Sequence, residues 1–163
     1  MLTNKKITLE KRTAETVRIY FERANRPEIK SVLPQKAQTV EEALADFEKT
    51  LLPDATSYGE TVWVDGEYVG DIWCYCIDLN DEPNCMISFC IFETAYWSQG
   101  IATAAVAQFL PRIRERYGVR TVGAFSFAHN RASVRVLEKN GFAVVEEFTE
   151  DGVLSVYLQY DFD

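Results

Sequence analysis

The chain has 163 residues, 47% of them hydrophobic, with 25 Asp and Glu against 17 Lys and Arg, a formal net charge of −8 at pH 7. That length and apolar content suit one domain with a sizeable core, taken as residues 1–163. The acidic balance argues against a nucleic-acid surface and suits a cationic partner such as an amine. No segment is apolar enough to span a membrane, and the start, MLTNKKITLEK, reads as carrying no secretory leader, so a cytoplasmic protein is expected.

In chain order, Ile7–Leu9 reads as a short strand, and Thr13 can cap a helix carrying Val17, Tyr20, Phe21 and Ala24, ended by Pro27. Thr39-Val40-Glu41-Glu42 reads as a capping box, with Ala43, Leu44, Phe47 and Leu51 on one helical face. Ser57–Val64 and Tyr68–Ile77 flank Asp65-Gly66, a pair that favours a tight hairpin. Cys85–Phe92 carries bulky groups on both alternating faces and should be a central strand. A helix from about Gln99 to Tyr117 follows, with Pro111 predicting a kink or break. Thr121–Phe127 should then be a strand parallel to Cys85–Phe92. Asn130 caps a short helix that Gly141 stops, and a hairpin around Asp151-Gly152 ends the chain. This order predicts a mixed α/β sandwich.

The four cysteines, Cys74, Cys76, Cys85 and Cys90, lie in apolar strand-like sequence and read as buried free thiols. With no C-x-x-C pair and a single histidine, His129, no metal site and no Ser–His–Asp triad is expected. The helix start at Gly100 is the stretch with chemical promise. Unpartnered N–H groups and the positive end of the dipole make a site for a phosphate or pyrophosphate. A glycine that merely allows a tight turn is the plainer alternative.

Tyr96-Trp97-Ser98-Gln99-Gly100-Ile101-Ala102-Thr103 resembles the acyl-CoA loop of the GNAT acetyltransferase superfamily. It is most similar to the branch containing the ribosomal-protein N-terminal acetyltransferases, whose loop reads Tyr-Trp-x-x-Gly-x-Ala-Thr. Asn130-Arg131-Ala132-Ser133, followed by Leu137-Glu138-Lys139-Asn140-Gly141-Phe142, resembles that branch's second signature. The resemblance covers nearly the whole chain. It implies a GNAT-like, mostly antiparallel mixed sheet with helices on both faces, and acetyl-CoA as co-substrate without a metal. It further implies an acetyl group moved to a primary amine by direct attack in a ternary complex. Trp97 stands where the commoner superfamily loop has Gln or Arg, which shifts the subfamily more than it affects a site built from backbone.

The resemblance also assigns residues. Gln99, Gly100, Ile101, Ala102 and Thr103 would hold the pyrophosphate. The main chain of Ile91, Phe92 and Glu93 would meet the pantetheine arm, with Asn130 on its other side. Arg131 and Arg135 lie near the cofactor, and Arg135 is taken as a contact. Many family members use a tyrosine as the acid at the position of Leu137; the ribosomal-protein branch uses a serine one turn earlier, here Ser133. Helping the helix start beneath Asn130 is the other role open to Ser133. Glu93 is the first choice as general base, with Asp71 and Glu146 as alternatives.

Arg112, Arg114, Arg116 and Arg120 could meet the 3′-phosphate, although a helix C-terminus favours basic residues anyway. Tyr58, Trp63, Trp73, Tyr75 and Tyr96 are candidate acceptor-pocket aromatics, or simply core. Acceptor choice is assigned to loops near 26–38 and 80–84. The expected partner is an amine-bearing substrate, either a peptide N-terminus or a small molecule, with a homodimer left open. The alternative from another class is a non-catalytic acyl-CoA-binding or regulatory domain, which the leucine at 137 and the unassigned base keep in play.

Overall fold

The computed structural model describes residues 5–163. Residues 1–4, part of the stretch read as carrying no leader, lie outside the described residues. Seven strands form one sheet in the order β1-β2-β3-β4-β5-β7-β6. They are β1 (Ile7–Lys11), β2 (Tyr58–Val64), β3 (Glu67–Asp78), β4 (Asn84–Ile91), β5 (Thr121–Phe127), β6 (Ala143–Glu150) and β7 (Val153–Asp161). Every neighbouring pair is antiparallel except β4 and β5. Both two-residue hairpins form as expected, because Asp65-Gly66 and Asp151-Gly152 all take positive φ.

The helices are α1 (Ala14–Ala24), α2 (Pro27–Lys30), α3 (Val40–Lys49), α4 (Ile101–Tyr117) and α5 (Arg131–Lys139). Sequence reading misses α2: Pro27, which ends α1, also sits at the first position of the next helical turn, where its missing N–H costs nothing. Ala24, Ile29, Tyr68, Cys90 and Phe92 form one buried cluster beneath α1 and α2. The larger core lies on the other face, where Ile101, Ala105, Val106, Phe109 and Ile113 of α4 and Leu137 of α5 meet Ile87, Ile91 and Val122. β4 therefore buries both of its faces, as a central strand should.

Several expectations are corrected. The α3 box is half made: Thr39 accepts from the Glu42 N–H, but the Glu42 carboxylate accepts from Gln38 instead. Leu51 lies beyond α3 and is 68% exposed. Helix α4 continues through Pro111 to Tyr117, since both Pro111 and Ala107, whose carbonyl loses its donor, face solvent. Cys76 is exposed, at a register irregularity in β3 where its φ is +51°, while the other three cysteines are buried. The α5 stop is a Schellman turn: Phe142 N–H reaches Leu137 O, Gly141 N–H reaches Glu138 O, and Phe142 is buried.

Candidate active site

Strands β4 and β5 pair only at Asn84–Thr121, Cys85–Val122 and Met86–Gly123. Beyond Met86 they diverge, which opens the sheet. Phe92 N–H is bonded to Val69 O at 2.9 Å. The β3–β4 register is regular over Met86–Ile91, so alternation turns the peptide groups of Ser88 and Cys90 toward β3. Ile87 still pairs with β5 next to the Met86–Gly123 bridge, while the N–H and C=O of Phe89 and the N–H of Ile91 are left facing the opening. A ligand chain laid in the split can pair with them as a strand would.

The N-terminus of α4 stands at the edge of this split. Gly100 is its N-cap at φ +80°, and no side chain caps the helix. Ala104 N–H is the first to find a helical partner, Gly100 O. The N–H groups of Ile101, Ala102 and Thr103 are therefore ready for an anion. The loop is braced around them. Trp97 Nε1 donates to Ile91 O at 2.7 Å, Gln99 Nε2 to Ala95 O at 2.6 Å, and Lys5 Nζ to Gln99 Oε1 at 3.2 Å.

A cleft of about 710 Å³ runs along the split, and Ile91, Gln99, Gly100, Ile101, Ala102, Thr103, Asn130, Ser133 and Arg135 all line it. Asn130 caps α5 by accepting from Ser133 N–H at 3.2 Å. Among the described residues the Ser133 hydroxyl makes no hydrogen bond within the chain, so it is available to the cleft. Lys139 on α5 and Lys5 beside the α4 entry loop also line the cleft and add cationic groups to it. Lys139 could have been found from sequence, since it lies four residues beyond Arg135 on α5.

Other expected residues lie elsewhere. Phe92 is fully buried against Tyr20 and Tyr68, with its N–H already bonded to Val69 O, so neither side chain nor N–H faces the split. Phe89, two residues before Ile91, takes the place expected of it. Glu93 is off the cleft wall, held by Arg23 at 3.1 Å and by Arg26 at 3.8 Å. Asp71 is 2% exposed and bound on one oxygen by Arg12 Nε at 2.9 Å and on the other by the Tyr68 hydroxyl. Burial pushes its carboxyl up to about 6, with Arg12 pulling it back. Glu146 lies on the outermost strand. No carboxylate lines the cleft among the described residues.

The basic cluster at the end of α4 is occupied by structural partners: Arg112 with Glu60, Arg114 with Asp163 O, and Arg116 over the Tyr58 ring. Trp63 stacks on Tyr68, and Trp73 meets Tyr20 edge-on under α1, so of the five candidate aromatics only Tyr96 lines the cleft. The 80–84 loop enters β4 at its paired end, away from the opening, whereas Ile29, Val32 and Leu33 from the 26–38 stretch do line it. No group of three or more His, Cys, Asp or Glu among the described residues could hold a metal ion, and no described helix is long and apolar enough to cross a membrane.

The sheet split stands beside a glycine-led helix start that no side chain caps, in a mixed α/β fold, and comparison gives the family. The acetyltransferase (GNAT) domain model matches residues 6–143, and the chain belongs to that family of acetyltransferases. No curated protein sequence matches. Among solved structures, spermidine N-acetyltransferase from Vibrio cholerae, in complex with CoA and spermine, is 13% identical over 95% of each chain, with a TM-score of 0.84. RimL, a ribosomal L7/L12 alpha-N-protein acetyltransferase in complex with CoA, is 15% identical over 100% of this chain and 97% of its own, at 0.81. Aminoglycoside acetyltransferase AAC(6')-Ib in complex with coenzyme A is 18% identical over 96% and 95%, at 0.75. At these identities the likeness is one of fold.

Proposed function

We propose that this chain is an acetyl-CoA-dependent N-acetyltransferase that moves the acetyl group to a primary amine by direct attack in a ternary complex. The observation that carries this is the opening of β4 from β5 beside the Gly100 helix start. Acetyl-CoA supplies the thioester, and the chain supplies its placement. The N–H groups of Ile101–Thr103 bind the pyrophosphate, with Lys5, Arg135 and Lys139 adding charge. Phe89 and Ile91 pair with the pantetheine arm through their main chain, and Asn130 closes its other side. A reducing, cytoplasmic setting suits the four free cysteines.

Ser133 is the acid in this reading: its uncommitted hydroxyl lines the cleft, gives its proton to the departing CoA thiolate as the C–S bond breaks, and regains one from water. Ser133→Ala should lower kcat by about a hundredfold while leaving the Kd for acetyl-CoA within about twofold. Unchanged turnover would remove Ser133 from the mechanism. The Asn130 cap uses the Ser133 N–H and survives the change.

The proton of the amine has no carboxylate on the cleft wall to go to, so it leaves to water. An amine near pKa 10 is mostly charged at neutral pH, and rate should rise with the neutral fraction. The ascending limb of the pH–rate profile should therefore follow the acceptor's own pKa when amines of different basicity are compared. Glu93→Gln should leave that limb in place, because its carboxylate holds the end of β4 to Arg23. A limb fixed at one pH for every amine, and lost in Glu93→Gln, would restore Glu93 as the base.

Thiol release from acetyl-CoA, followed with a panel of amines and peptides, tests the whole reading. The absence of a wall carboxylate also favours the second reading, a non-catalytic acyl-CoA-binding domain. That domain would bind CoA tightly and release no thiol with any acceptor.

A further inference from the structure

The cleft passes through the split to the face covered by α1 and α2. There its wall is Ile29 of α2, Val32 and Leu33 just after it, the side chains of Ser88 and Cys90, and Phe125 of β5. Four of these six groups are hydrocarbon. Burial pushes the Cys90 thiol up to about 12, so it is a neutral, small apolar group rather than a thiolate. Phe125 is 54% exposed, and packs edge-on to Phe148 and tilted against Tyr157 at centroid distances of 5.6 and 5.3 Å. It forms a firm aromatic platform at the mouth.

Most carboxylates near this wall are already engaged, and Glu28 of α2, beside Ile29, is exposed and off the cleft lining. Glu93 faces Arg23 and Arg26, Asp71 faces Arg12, and Glu67 accepts from the Tyr96 hydroxyl. Glu146 shares the sheet face of Tyr157 and Phe125 but lies two strands out from Phe125, about 10 Å away. The charged groups that do line the cleft, Lys5, Arg135 and Lys139, are those assigned above to the pyrophosphate and are no part of this wall.

We propose, resting on the acetyl-transfer reading, that the acceptor is a primary amine carried on an apolar body, aliphatic or aromatic, and not a polycation. An ammonium group taken out of water without a counter-charge costs several kcal/mol. A polyamine or aminoglycoside would bring extra ammonium groups into a chamber whose lining holds no carboxylate among the described residues. An apolar body gains instead from covering Leu33, Val32 and Phe125. Only the reacting nitrogen needs to be polar, and it sits at the split beside Ser88. A free apolar amine and a peptide whose first residue is apolar share this chemistry.

Steady-state thiol release from acetyl-CoA tests this with phenylethylamine, isoamylamine, Leu- and Phe-initiated tripeptides, spermidine and kanamycin. Apolar acceptors should show kcat/KM at least about tenfold above the two polycations, and the peptide arm separates the two sources. Phe125→Ala, and independently Leu33→Ala, should raise KM for the preferred acceptor about tenfold. KM for acetyl-CoA should stay unchanged in both. Spermidine or kanamycin as the better substrate overturns the inference while leaving acetyl transfer standing. So does a flat acceptor ranking with octanoyl-CoA preferred to acetyl-CoA, which would give the chamber to the acyl chain. If no amine is acetylated, the acetyl-transfer reading fails first and this inference with it.

Discussion

Gly100→Glu should abolish CoA binding while the protein stays folded. Gly100 sits at φ +80°, ψ 8°, a conformation that costs a residue with a side chain about 1–2 kcal/mol. A domain with a stability on the order of 5–15 kcal/mol survives that. The new carboxylate would sit beside the N–H groups of Ile101–Thr103, supplying the negative charge they are arranged to receive and repelling a pyrophosphate. A Kd weaker by at least about a hundredfold is expected by calorimetry.

Gly118→Glu is the matched control. Gly118 has φ +68° and open space where a Cβ would stand, but it lies at the other end of α4, about 25 Å away. It carries the same backbone cost with no phosphate site, so CoA binding should be intact. Normal CoA binding by Gly100→Glu would end the anion-site argument.

Arg12→Met should be the most destabilising of the substitutions considered, and the loss should depend on pH. Arg12 is the cationic partner of Asp71, which is almost completely buried. Removing one member of a buried pair costs about 3–5 kcal/mol, because the other charge is left without compensation. Asp71 has its folded-state carboxyl raised to about 6, above its ordinary range. The stability it contributes is therefore fully present below the unfolded value and is lost as pH rises through about 6. Without Arg12, which lowers this value, the folded pKa climbs further. Urea denaturation should show a large deficit at pH 8 and a small one at pH 4.5. A deficit equal at both pH values would mean that Arg12 acts through packing over Trp73 rather than through charge.

What could be read without the structure was mostly local. Thr13, Thr39 and Asn130 cap helices because their side chains reach N–H groups three residues on. Asp65-Gly66 and Asp151-Gly152 make hairpins because both members of each pair tolerate positive φ. The Gly100 helix start and the α5 cap were legible because sequence marks where the first N–H groups of a helix are exposed. Long-range pairing was not legible. β7, rather than β6, adds to β5, since both strands of that hairpin alternate well enough to serve. Glu93 looked free at the end of a strand until α1 brought Arg23 and Arg26 to it. Phe92 looked like a cleft residue until its N–H was found paired with Val69, which turned the edge groups of Phe89 and Ile91 outward instead.

The sequence alone determined the order of elements apart from α2, most of their caps and turns, the uncapped helix start at Gly100 and the family these resemble. Each rests on interactions among residues a few positions apart. Only the tertiary structure decided where the sheet opens, which carboxylates are neutralised and which side chains wall the cleft. Those depend on groups far apart in the chain, such as Asp71 paired with Arg12, or Leu33 and Phe125 lining one cleft, which no local pattern records.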